Sequence, residues 1–456
     1  MKKIEKLKQE SKDFSIKEGF FTTISTSLSH AYIIPFAIAI NSTNSLIAML
    51  SSIPGLLGPL SQMFHSRLIE KYKRKQIVST FKLFEIISFI PLIVIAIFYF
   101  LNIIPNTLPF FLLFFFSLSL FIAQAGHPAW FSWVGDLVDK KERGKWFAKR
   151  TFIFGSTTLI FSIIGALFLD FIQKRTELMI GFIILFILAL IARIIALMFL
   201  RKQYEPKIKL KKEYYFSFSK FTKKSYKNNF GRFTIYRALT ALAVNIASPF
   251  FAIYMLKELD FSYTLFMIVT LSQTLFSLLV IKYWGKFSDK FGNYEVLRIN
   301  MILISIIPFL WIFSKSPIYL IFVPQLISGI AWAGFELATG NYIYDAVTPQ
   351  KRALAVSYFN LFRGIGVFVG AGIGALLIEY IAIDFMNIIF FIFIISGITR
   401  IIAGLIMLPY IKEVRDVNKV QSSKVLKNLS FRFLRIPSFQ GISEYRFKNN
   451  TITSKK

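Results

Sequence analysis

One ordered set of residues occurs twice in this chain, once in each half. The first copy reads Gly135-Asp136-Leu137-Val138-Asp139-Lys140-Lys141-Glu142-Arg143, and the second reads Tyr344-Asp345-Ala346-Val347-Thr348-Pro349-Gln350-Lys351-Arg352. In both, an aspartate precedes an arginine by the same interval. The register then holds without a gap: Gly155 falls on Gly364, Ile164-Gly165-Ala166-Leu167 on Ile373-Gly374-Ala375-Leu376, and Asp170 on Glu379. Read backwards, it sets His127 on Glu336. With small shifts, Arg193-Ile194-Ile195-Ala196 matches Arg400-Ile401-Ile402-Ala403, and Pro35-Phe36 matches Pro249-Phe250. A repeat this long means that the fold is two copies of one unit.

The unit is apolar. Of the 456 residues, 55% are hydrophobic and only 17% charged, against roughly 45–50% and 25% in soluble domains. The apolar residues come in blocks of about 20, the length a helix needs to cross a bilayer. Twelve such spans are expected, near residues 18–41, 44–65, 77–100, 108–132, 150–170, 177–200, 232–256, 262–283, 297–314, 317–342, 353–378 and 385–410. Helices are implied because lipid offers no partner for a lone backbone amide. A duplicated, polytopic chain points to a transporter. With no cysteine in the chain, disulfides, thiolate metal sites and cysteine nucleophiles are excluded.

The connections alternate in charge. Residues 40–45 and 101–109 carry no basic residue, and the other loops of that set carry only Lys174, Arg175, Lys257 and Lys315. The opposite set holds most of the 54 Lys and Arg, which places it in the cytoplasm together with both chain ends. The net charge of +30 is thus mainly orientation charge, with attraction to anionic lipid and not to nucleic acid. The expected organisation is a cytoplasmic N-terminal segment (1–17), a six-helix bundle (18–200), a basic cytoplasmic linker (201–231), a second six-helix bundle (232–410) and a basic, disordered cytoplasmic tail (411–456). The first segment alternates Lys with acids and has no apolar core to serve as a cleavable signal.

The loop after span eight reads Gly285-Lys286-Phe287-Ser288-Asp289-Lys290-Phe291-Gly292-Asn293. Glycines permit a tight turn there, the aspartate can accept from a helix N-terminus, and the cation can meet an acid on another helix. The matching loop after span two keeps acid-then-base at Glu70-Lys71 and replaces the glycines with Ser66 and Lys73. Twelve spans in two halves, a basic central loop and Gly-x-x-x-Asp-Lys-x-Gly after span eight resemble the major facilitator superfamily over residues 18–410. The resemblance implies an all-α membrane protein, two pseudo-symmetric six-helix bundles rocking about a central cavity lined by spans one, four, seven and ten. Span five lacks the Gly-Pro pair that resembles the drug-antiporter signature. In span eleven Gly366, Gly370 and Gly374 share a face on which another helix can pack closely.

Ionisable residues inside spans are costly and mark function. Glu336 lies in span ten and His127 in span four, and His30 is near the middle of span one. By the resemblance all three face the cavity. A buried carboxyl can carry a proton and histidine titrates near neutral pH, so Glu336, aided by His127, is expected to couple proton movement to substrate binding. Pairing of Glu336 with His127 or Arg237 is the plainer alternative, and Arg237 itself either neutralises Asp345 or meets an anionic substrate. Gln124, Trp130, Asn245, Trp332, Thr339 and Asn341 are expected to line the cavity and suit a polar or amphipathic molecule. Arg193 and Arg400 are expected to snorkel to the cytoplasmic side, Lys82 and Glu85 to neutralise each other, and Arg363 to pair inside its bundle. Asp136 with Arg143, and Asp345 with Arg352, are expected to clamp helix ends and help gate the cytoplasmic side.

These features describe a monomeric secondary transporter in the cytoplasmic membrane, moving a small organic solute by alternating access as a symporter or antiporter, with H+ as coupling ion. A uniporter, a membrane-embedded enzyme and a non-transporting receptor are the alternatives. No catalytic residue, metal site or cofactor is expected, and no Gly-x-x-x-x-Gly-Lys-Ser/Thr loop for a nucleotide is present.

Overall fold

Local chemistry, more than hydropathy, decides where each apolar block becomes a helix. Proline occupies the first turn of the helices that begin at Leu108, His127, Ser248, Pro317 and Pro349, where its missing N–H would be unpaired anyway. The side chains of Asn228, Ser262 and Asn387 accept from the backbone N–H groups of Gly231 (2.8 Å), Leu265 (3.2 Å) and Ile389 (2.8 Å), capping three more. Spans eight and nine are separated by a single residue, Gly292, at φ 88°. That conformation suits glycine and strains any other side chain, which is why the loop motif ends on it.

The structure is a computed structural model that describes residues 2–65, 68–69, 71–138, 143–206, 217–382, 384–415 and 417. Among these residues there is no strand. Eleven helices are long and apolar enough to cross a membrane: Asn44–His65, Arg74–Phe100, Leu108–Leu137, Lys149–Gln173, Leu178–Lys202, Asn229–Glu258, Tyr263–Phe291, Asn293–Leu310, Pro317–Ala346, Leu354–Tyr380 and Ile388–Tyr410. These are spans two to twelve. Span one is the helix Lys2–Leu28 followed by the short turns His30–Tyr32 and Ile33–Ala39. Its polar first half keeps it below the apolar threshold of the others. The helix therefore starts well before residue 18, and the expected N-terminal segment is its first turns. Spans five and eleven likewise begin at Arg143 and Pro349, ahead of their apolar blocks, and span eight runs on to Phe291.

Four spans are interrupted. Span four breaks at Gly126 between Leu108–Ala125 and His127–Leu137. Span seven breaks between Asn245 and Ser248, and span one at Ser29. Pro128, Pro249 and Pro35 follow the breaks, and each lacks the N–H that would continue the ladder. Span ten carries a π turn, Ile321–Gln325, around Pro324. The breaks of spans one and seven fall at matched places of the repeat.

The halves meet along two seams, span two against span eleven and span five against span eight. In the repeat, span two corresponds to span eight and span five to span eleven, so one interface is made twice. Matched glycines sit alike. Gly155 faces Leu278 of span eight, and Gly364 lies under the Gly55 carbonyl of span two, where a Cβ would stand 2.7 Å from the oxygen. Gly366, Gly370 and Gly374 lie against the carbonyls of Ala238, Leu242 and Ile246, three successive turns of span seven. Small residues allow this backbone approach where lipid gives helices no hydrophobic reason to associate.

Each bundle fills its centre with aromatic rings: Phe36, Phe182 and Phe186 in the first (centroids 5.1–6.2 Å), Phe251, Trp311 and Phe393 in the second (4.5–6.5 Å). The outer faces remain apolar and exposed. On span six, Ile184, Ile187, Ile191, Ile194 and Met198 form one stripe at helical spacing, as lipid contact requires. In the linker, residues 207–216 lie outside the described residues, and Phe218–Ser225 is a short helix whose Phe218 and Phe221 rings pack on Tyr358 and Phe362 of span eleven. Most of the tail, 418–456, is outside the described residues.

Candidate functional site

A cavity of about 550 Å³ lies between the halves, walled by spans two, four, seven, ten and eleven. The breaks in spans four and seven border it. Gln124 stands just before Gly126 and receives a hydrogen bond from Gln62 (2.8 Å), while Asn245 stands just before the span-seven break and donates to Ala241 O (2.7 Å). Trp332 and Glu336, one turn apart on span ten, complete that side.

The charged centre of this wall is an ion pair between Arg237 of span seven and Glu336 of span ten. The two partners differ in exposure. Arg237 is 3% exposed, its guanidinium lies 4.9 Å from the centre of the Phe335 ring and its Nε has no hydrogen-bond partner. Half of the Glu336 side chain faces open space. A buried cation is thus held by a carboxylate that the cavity contents can reach. Arg363, expected to pair inside its bundle, instead stands exposed on the cavity wall, because its turn of span eleven faces span two across the gap.

Of the expected site residues, Glu336, Arg237, Gln124, Asn245 and Trp332 meet in this cavity. His127 and Trp130 do not. Beyond the Gly126 break they turn to a second cavity of about 330 Å³ inside the first bundle, between spans one, three, four and five. His30 faces neither. Its Nε2 lies 3.0 Å from Arg193 Nη2, edge-on to Phe116. Thr339 is buried in span ten and Asn341 lies away from the cavity. Arg237 pairs with Glu336 and not with Asp345. Gln62 and Asn360 were not singled out by the sequence, since polar groups on spans two and eleven carry no local motif.

Arg193 and Arg400 do not snorkel. Both are nearly fully buried and turn into their bundles, Arg193 to Glu85 and Arg400 to the carbonyl of Ile304 (2.9 Å). Glu85 is shared with Lys82 (3.4 Å), as the spacing predicts, and Lys82 continues to Glu18 (3.9 Å). A carboxylate was there for Arg193 because Glu85 and Arg193 fall on the facing sides of spans three and six.

The Lys/Arg-rich ends of the bundles are tied internally. In the first, Arg74 reaches Asp136 (2.6 Å), and its backbone N–H donates to Glu205 (2.8 Å). In the second, Asn293 and Arg415 reach Asp345 (2.8 and 2.7 Å), and Tyr294 N–H donates to Glu413 (2.7 Å). Asp136 and Asp345 thus tie span ends through Arg74, Asn293 and Arg415. Arg352 donates to the carbonyls of Tyr344 and Val347 and not to Asp345. Asp289 has only a 3.5 Å contact with Arg415, Lys290 lies over Phe291 of its own helix, and Gly285 borders open space. Lys71 is exposed, while Glu70 and the Arg143 side chain lie outside the described residues. Among the described residues these loops make no hydrogen bond or ion pair to the other half. Contacts between halves occur at the opposite face. The Asp170 carboxylate accepts from the N–H groups of Tyr263 and Thr264 (2.9 Å each), and Lys257 Nζ reaches Asn44 Oδ1 (3.0 Å).

Comparison with known proteins agrees with this architecture. A solved mutant form of the nucleoside transporter NupG superposes with a TM-score of 0.64 at 13% identity, over 88% of this chain and 100% of that one. A bacterial homologue of the iron transporter ferroportin in its inward-facing state gives 0.65 at 13% identity, over 89% and 98%. A POT family transporter in complex with 5-aminolevulinic acid gives 0.66 at 16% identity, over 88% and 95%. Among curated sequences, Multidrug resistance protein 1 of Bacillus subtilis (strain 168) is 27% identical over 95 residues, 21% of this chain and 24% of that protein's length. The family model for the Major Facilitator Superfamily matches residues 19–233 and again residues 233–442, one match for each half. The chain is a member of the Major Facilitator Superfamily, a multi-pass transporter of solute and not an enzyme.

Proposed function

We propose that this chain is a secondary transporter that moves a small organic solute by alternating access, with a proton carried by Glu336. The Arg237–Glu336 pair in the wall of the central cavity carries the proposal. With Glu336 ionised, the buried guanidinium is matched. When Glu336 takes up a proton, Arg237 keeps its charge in an apolar wall and loses its partner. An anionic or strongly polar group of the solute then replaces the carboxylate beside it. Release of the solute lets Glu336 give up the proton and restore the pair.

Arg363 adds a second cation to the wall, so the cavity has one positive charge in excess while Glu336 is ionised and two when it is protonated. The preferred solute is accordingly small, polar and acidic. Similar solved structures are named for nucleosides, iron and 5-aminolevulinic acid, a range that supports the class of activity without selecting a solute. In the proposed orientation the basic face and both ends of the chain lie in the cytoplasm of a cell membrane with anionic lipid. The contacts from Asp170 and Lys257 then close the outer side, and the monomer stands open inward. Uptake of a panel of small organic acids into vesicles tests the proposal. Accumulation that follows an imposed pH gradient supports it, and indifference of every moved solute to the gradient leaves plain facilitated diffusion in its place.

A further inference from the structure

The second cavity holds a cation that the proposed exchange does not use. Arg150, at the start of span five, has its guanidinium 4.4 Å from the Phe154 ring centre, 4.7 Å from Trp130 and 5.9 Å from Trp146. Its Nε is buried without a hydrogen-bond partner, and among the described residues no carboxylate lies within ion-pair distance. Cation–π contact offsets part of the cost of burying the charge but leaves the Nε donor unsatisfied. The other charges nearby are already matched. Glu85 is shared by Arg193 and Lys82, and Glu18 accepts from Thr22 (3.0 Å) with Lys82 beside it. Three cations thus face two carboxylates, and Arg150 is the one in excess.

From this geometry we propose that the cavity inside the first bundle binds a small carboxylate, a monoanion with a flat apolar body, at Arg150. A carboxylate satisfies the guanidinium fork with two parallel hydrogen bonds, which a neutral ligand does not. A dianion is disfavoured because the excess charge is single and Glu18 and Glu85 stand in the same wall. Trp130 and Phe154 beside Arg150, with Phe81 in the same wall, provide the apolar surface for the body of the ligand. His127 is exposed on the rim as a further polar group. The site is separate from the central cavity but adjoins it around span four, where Gln124 faces one cavity and His127 the other on either side of the Gly126 break.

Binding to the purified full chain tests this independently of transport. Benzoate, benzamide and inorganic phosphate are the probes, and quenching of tryptophan fluorescence is the readout, since Trp130 lines the site. Saturable quenching by benzoate, at least tenfold weaker with benzamide or phosphate, is expected. Arg150→Gln should lower benzoate affinity at least tenfold and Arg150→Lys by less. Ala123→Leu, which fills the cavity without touching a charge, should also abolish binding and serves if Arg150→Gln does not fold. Equal binding of benzoate and benzamide, or benzoate binding that survives both Arg150→Gln and Ala123→Leu, would overturn the proposal. Loss on Arg237→Gln with Arg150→Gln unaffected would move the anion to the central cavity and overturn it as well.

Discussion

Asp170, near the last turn of span five, accepts hydrogen bonds from the backbone N–H of Tyr263 and of its neighbour Thr264, both at 2.9 Å, at the first turn of span eight. The carboxylate belongs to one half and the helix N-terminus to the other, so the bond closes the Lys/Arg-poor face. Charge-assisted hydrogen bonds of this kind contribute roughly 1.5–3 kcal/mol, and the helix dipole adds to them. Asp170→Asn should therefore raise the population open at that face about tenfold. Because the chain contains no cysteine, a single Ser248→Cys in the cavity wall reports this directly. Its modification by an impermeant thiol reagent from the Lys/Arg-poor side should accelerate by that factor, and an unchanged rate would mean that Asp170 does not hold the closure.

The glycine face of span eleven gives a second expectation. At Gly370 any Cβ meets the Leu242 carbonyl of span seven, whereas at Gly372, two residues on, it meets open space. Gly370→Val should lower stability by about 1–3 kcal/mol or more through overpacking, and Gly372→Ala should be near neutral. Thermal unfolding of the two purified variants checks the contrast. Equal losses would show that the close approach is not what these glycines serve.

Glu85 and Arg193 are both buried, with 7% and 1% of their side chains exposed. Removing Arg193 takes from Glu85 its more deeply buried partner and leaves Lys82 alone at 3.4 Å, a loss of up to about 3–5 kcal/mol. Arg193→Met should therefore be strongly destabilising, and joining it with Glu85→Leu should recover part of the loss. A double-mutant cycle on melting temperature measures this, and strict additivity would argue against the pairing.

Each bundle ties its basic end at a matched aspartate, Asp136 or Asp345, but the arginine comes from a different place, Arg74 from the start of span three and Arg415 from beyond span twelve, and the two differ in burial. Arg74 is 1% exposed and Arg415 31%. Arg415→Ala should cost about 1 kcal/mol or less, the worth of a solvated pair, while Arg74→Ala should cost several-fold more. Equal losses in melting temperature would remove burial as the deciding factor.

These pairs also mark what the sequence makes legible. Hydropathy, the repeat and the span-eleven glycines reveal the spans, the duplication and a close helix contact, because all three depend on periodicity along the chain. Lys82 and Glu85 are legible for the same reason, being one turn apart. Partners across helices are not. Asp345 with Arg352 looked paired by spacing, yet the matches of Asp345 come from Asn293 and Arg415, and Asp136 is reached by Arg74, residues near only after folding. The break at Gly126 has the largest consequence for the site. It turns His127 away from the cavity that its repeat partner Glu336 faces, and the repeat register alone holds no trace of that turn.

Transport by purified protein in proteoliposomes, comparing the wild type with Glu336→Gln, bears most directly on the central account. A substituted amide cannot take up and release the proton that opens the Arg237 pair. Glu336→Gln should therefore still exchange solute for solute at equilibrium but no longer concentrate it under an imposed pH gradient. Undiminished gradient-driven accumulation by Glu336→Gln would contradict the assignment of the coupling proton to this residue.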